Sequence, residues 1–141
     1  MAIKRGFAVA AMLAGLAVGT AGNGWADTTM SGPYSATDTS SAGRSTTATW
    51  YFTPCGDECA DVDLGNGMSS QARFTNGQWV MDVAGDAADC GDGTHVPSAQ
   101  DIHYAWDANT LAGTAKVTYT VPACGHGTGT WKHTIQLRQA P

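Results

Sequence analysis

Four histidines, twelve acidic residues and four cysteines are the side chains of this sequence with chemistry to offer. His133 stands beside Ile135 and Trp131 in an alternating apolar stretch, on the inward face of a strand. It reads either as a core or rim imidazole satisfied by a hydrogen bond, or as a ligand or acid–base group at the mouth of a barrel. His95 and His126 lie in Gly-rich segments with Asp92 near the first, and together could hold a divalent metal. Their spacing matches no established zinc pattern, so no metal site is assigned. His103 falls on a polar strand face. The run Asp86-x-x-Asp89-x-x-Asp92-Gly93 invites a calcium reading, but its spacing is three and the closing Glu of an EF-hand loop is missing. No Ser sits in G-x-S-x-G or S-x-x-K, no Gly-rich phosphate loop occurs, and no carboxylate pair is expected on inward positions. No cofactor motif is found, and the protein is expected not to be an enzyme.

Elements that could position such groups are strands. Residues 50–79 read as strand, cysteine-closed turn, strand, Gly-Asn-Gly turn, strand, Asn-Gly turn and strand. Ala60, Val62 and Leu64 alternate with Asp61 and Asp63, and Trp79, Met81 and Val83 alternate with polar neighbours, the pattern of antiparallel strands solvated on one face. Asn76-Gly77 is a two-residue hairpin signal, because a type I′ turn needs φ > 0 at both positions. Further strands are expected over 31–36, 46–54, 101–106, 111–121 and 131–138. Residues 84–99, acidic and without periodicity, read as the longest loop, and Gly113 as a point that lets the seventh strand bend. Eight successive strands predict an all-β antiparallel meander, with a closed barrel preferred and a two-sheet sandwich as the alternative. Trp50, Trp79, Tyr104, Trp106, Tyr119 and His133 all fall on inward faces. They either pack the core or, where the barrel is hollow, face a ligand.

Lys4 and Arg5 precede an apolar run over residues 6–21, and Gly24-Trp25-Ala26 places small residues before Asp27. That is the layout of a secretory signal peptide, residues 1–26, with a single domain over 27–141. Its glycines and its length argue against a retained anchor. Removing it leaves five Lys and Arg against twelve Asp and Glu, a net charge of −7. Such a surface repels phosphate backbones and anionic lipid, so nucleic acid is excluded as a partner, and no membrane insertion is expected after cleavage. A monomer acting on a small ligand, or on an envelope or host protein, is expected.

An even cysteine count in a small exported domain predicts disulfides. Connections in a meander alternate between its two ends. Cys90 (connection five to six) and Cys124 (seven to eight) then share an end, while Cys55 and Cys59, both between strands two and three, lie at the other. The pairing 55–59 and 90–124 follows.

Trp50-Tyr51-Phe52-Thr53-Pro54-Cys55-Gly56-x-x-Cys59, Asn76-Gly77-Gln78-Trp79 and Trp106-Asp107-Ala108-x-Thr110-Leu111-x-Gly113 resemble small exported proteins of mycobacteria and related actinobacteria. The resemblance spans most of the mature chain. It implies a location outside the cell or in its envelope and carries over no catalytic residue.

Overall fold

A computed structural model describes residues 28–141, so the expected signal peptide and its cleavage site lie outside the described residues. Eight strands, β1 (Gly32–Thr39), β2 (Ser45–Pro54), β3 (Cys59–Asp63), β4 (Ser69–Thr75), β5 (Gln78–Asp89), β6 (His95–Asp107), β7 (Ala112–Tyr119) and β8 (Gly129–Gln139), follow one another around a closed barrel. Every pair is antiparallel, and β8 closes on β1 with Ala36 opposite Leu137 and Asp38 opposite Ile135. Closure satisfies backbone groups that a sandwich would leave at its edges. The hairpin at Asn76-Gly77 has φ of 52° and 81°, as the type I′ reading requires.

The barrel has a base and a mouth. At the base lie the β2–β3, β4–β5 and β6–β7 connections together with the start of β1 and the end of β8. Aromatic side chains fill this half. Trp79 and Trp106 are fully buried and stack with ring centroids 6.5 Å apart. Phe52 and Trp50 each stand 6.1 Å from Trp106 in edge-on contact. Arrangements of this kind contribute about 0.5–1.5 kcal/mol per pair beyond area burial. Met30, upstream of β1, plugs the base, its sulfur 3.4 Å from the Trp106 indole nitrogen, which donates to it. Small residues at Ala60, Ala72 and Ala115, all fully buried, make room for the rings.

Both disulfides form as strand alternation predicts. Cys55–Cys59 closes the β2–β3 turn at the base, and Cys90–Cys124 joins the β5–β6 and β7–β8 connections at the mouth.

Residues 84–99 are a correction to the expected loop. Most of them belong to a long β5–β6 hairpin, and only 90–94 form its turn. Register shifts between Val83 and Asp86 and between Asp86 and Ala88 mark bulges, with Gly85 at φ 70° and Ser98 at φ 50°. An extra residue reverses the inward–outward alternation and bends the strand. The Asp101 carboxylate secures the bend by accepting from the Gly85 N–H at 2.8 Å. Gly113 permits close strand approach, since a Cβ there would lie 1.9 Å from the Ala105 carbonyl oxygen of β6. β1 continues to Thr39, three residues beyond the expected Ala36, and β7 occupies Ala112–Tyr119 within the longer segment expected.

Candidate functional site

The mouth collects the inward polar side chains. Alternation from Tyr34 and Ala36 carries the Asp38 side chain to the inner face at the end of β1. There it meets His133 of β8, Nδ1 to Oδ1 at 2.7 Å, with both side chains partly exposed (24% and 31%). An ionised carboxylate at that distance accepts a hydrogen bond from the Nδ1 proton, and in a neutral imidazole so held Nε2 is the acceptor.

Across the mouth, the bulge turns Asp86 inward. Its carboxylate accepts from Gln100 Nε2 at 3.3 Å, Asn66 Nδ2 at 3.4 Å and the Ala87 N–H at 2.9 Å. Between the polar groups and the aromatic base stands Tyr104, edge-on to Trp50 with centroids 5.0 Å apart. Only 8% of Tyr104 is exposed, and its hydroxyl forms no hydrogen bond among the described residues. No described side-chain nitrogen or oxygen is both sealed from solvent and unpartnered, so this hydroxyl keeps an opening toward the mouth. Burial holds its pKa well above the ordinary tyrosine value, and the charges of Asp38 and then Asp86 push it further in the same direction.

Aromatic rings form one wall. Tyr119 and Trp131 stand 5.2 Å apart, and His126 lies 6.0 Å and 5.3 Å from them. The opposite wall is thin. Residues 45–49 at the start of β2 are exposed on both faces, and β3 pairs only with Tyr51 to Pro54. The β5–β6 turn reaches over to this side, where a Cβ at Gly91 would lie 2.9 Å from Arg44 Nη1.

Expected site residues therefore divide. Tyr104, Tyr119 and His133 border the mouth, whereas Trp50, Trp79 and Trp106 are packed into the core and present no open face to a ligand. His95, His126 and Asp92 are not brought together: among the described residues no three His, Cys, Asp or Glu are grouped to hold a metal ion. His126 packs on rings instead, and Asp92 serves its own turn. Thr94 donates to Asp92 from its hydroxyl at 2.5 Å and its N–H at 3.0 Å, which lowers the carboxyl's pKa. His103 pairs with Asp82 at 2.6 Å on the outer wall, an exposed contact of little energetic weight.

Asp38, Gln100 and Asn66 were not singled out by the sequence, Asp86 stood out only as the first acid of the calcium-like run, and two inward carboxylates run against the expectation of none. Asp38 was within reach: it lies two residues past Ala36 on the same alternation. A shallow recess on the outer wall, lined by Tyr51, Thr53, Asp61, Asp63 and Ser69, is separate from this end of the barrel.

Comparison with known proteins adds no assignment. No family model, curated protein or solved structure matches this chain.

Proposed function

We propose that this protein is an exported, disulfide-stabilised, non-catalytic binding module of the cell envelope or extracellular space that takes a small ligand at the barrel mouth. One observation carries the reading: the base is packed solid with aromatic rings, while Asp38, Asp86, Gln100, Tyr104 and His133 converge at the opposite end. Two disulfides suit an oxidising compartment, and the second fixes the connections bordering the mouth. The resemblance to small exported actinobacterial proteins and the signal-peptide pattern support the same location. Amide NMR spectra recorded against fractionated small-molecule extracts test the site. Ligand-induced shifts should gather at Asp38, Tyr104, Trp131 and His133. Shifts gathered on the base or the outer wall instead would remove the mouth as the site.

A hydrolytic reading is favoured by one contact, His133 against Asp38. The carboxylate orients the imidazole and leaves Nε2 as a base able to take a proton from water. The decisive assay is turnover of a panel of esters, amides and glycosides, repeated in His133→Ala. Turnover by the native protein that disappears in the variant would establish the enzyme.

A further inference from the structure

We propose that the ligand of the mouth is a small organic cation, an alkylammonium whose charge is taken up by Asp38 and Asp86 and whose N–H groups reach the Tyr104 oxygen. This inference rests on the mouth being the binding site, and it names the chemistry of the occupant.

Charge supports it first. The ion pairs among the described residues are those of His103 and His133, so no Lys or Arg neutralises Asp38 or Asp86. The donors on Asp86 are amides, which satisfy its oxygens without cancelling its charge. Arg44 reaches the rim beside Gly91 and forms an ion pair with neither carboxylate. Two carboxylates beside a low-dielectric interior attract a cation far more strongly than they would in water, and they repel an anion.

Tyr104 supplies the second, independent support. More than nine-tenths of this residue is buried, yet its hydroxyl lacks any hydrogen bond among the described residues. A donor arriving at the mouth finds in this phenol oxygen an acceptor that no described protein group occupies. On the barrel wall Tyr104 stands opposite Ala115 and Ala115 opposite His133, the partner of Asp38, while Asp86 stands opposite Gln100 on the strand of Tyr104 itself.

Aromatic surface completes the fit. Tyr119 and Trp131 are half-buried rings on the inner side of this rim. Methylene groups beside an ammonium pack on such faces, and the charge itself is drawn to the ring quadrupole. A neutral sugar would use the rings and amides equally well but would gain little from two carboxylates that face no Lys or Arg.

Titration of the purified, disulfide-intact protein with butylammonium, butanol, butyrate and glucose, followed by amide NMR, separates these ligands. Butylammonium should shift Asp38, Tyr104 and Trp131 saturably, with butanol and glucose at least about tenfold weaker and butyrate without effect. Asp38→Asn and Asp86→Asn should each weaken butylammonium about tenfold, the scale of one charge-assisted contact. Tyr104→Phe should weaken it severalfold with an unchanged circular dichroism spectrum. Butanol or glucose binding at the mouth as tightly as butylammonium would overturn the cation assignment and leave the binding-module reading standing. Butylammonium shifts on the outer wall, or shifts insensitive to both Asp→Asn variants, would also overturn it. Silence with all four compounds defeats the cation assignment, and the extract screen then decides separately whether the mouth binds anything.

Discussion

His133 Nδ1 and Asp38 Oδ1 stand 2.7 Å apart across the seam where β8 meets β1, joining residues 95 positions apart in the chain. The pair therefore reports on barrel closure as well as on the mouth. With both side chains partly in solvent, its coupling should be about 1 kcal/mol. Urea unfolding of Asp38→Asn, His133→Gln and the double variant measures it. A coupling of zero would mean the contact contributes nothing to closure.

The two disulfides should differ in weight. Loop-closure entropy gives about 2 kcal/mol for Cys55–Cys59 and about 4 kcal/mol for Cys90–Cys124, whose sequence separations are 4 and 34. Denaturation of Cys55→Ala/Cys59→Ala beside Cys90→Ala/Cys124→Ala checks the order. Loss of the second bridge should also raise amide exchange across residues 84–99, which it ties to the β7–β8 connection.

Gly113→Ala should be among the worst single substitutions in the protein. The added methyl would meet the Ala105 carbonyl oxygen at 1.9 Å and Trp106 Cα at 2.5 Å, both backbone atoms that cannot swing aside. A loss of about 3 kcal/mol or more is expected. Gly77→Ala offers the contrast: nothing lies near its added Cβ, and only the left-handed φ of 81° opposes it, at about 1 kcal/mol. Equal midpoints for the two variants would show that β6 and β7 can part at Gly113.

Alkaline pH should act on stability through Tyr104. Its folded pKa is raised, by burial first and by Asp38 and Asp86 after that. Below the unfolded value of about 10 both states keep the proton and the native advantage is intact. Above it the unfolded chain releases its proton while the folded chain holds on, so stability falls as pH rises. Tyr104→Phe should lessen the alkaline loss of stability, read from urea midpoints measured on either side of pH ~10.

Strand alternation made the meander and both disulfides legible, because parity alone decides which connections share an end. It failed at residues 84–99 for a physical reason. The bulge near Gly85 reverses parity, so Asp86 follows Val83 on the inner face at a spacing of three, and a period of two sees only noise. Asp38 was hidden differently. Beyond Ala36 the strand carries Thr37, Asp38 and Thr39, whose polarity resembles the loop after them. Mouth residues are polar, and the apolar signal that reveals strands fades where they begin. For Trp79 and Trp106, inward position was readable; only packing could show that the rings meet one another.

Both ends of the described chain leave from the base, where Pro33 accepts from the Ala140 N–H and Tyr34 sits opposite Gln139. The molecule thus has a fixed polarity with respect to anything it is attached to. A tether at either end, whether a purification tag, a sensor surface or a fused partner, holds the barrel by its closed side and leaves the mouth facing away from the support.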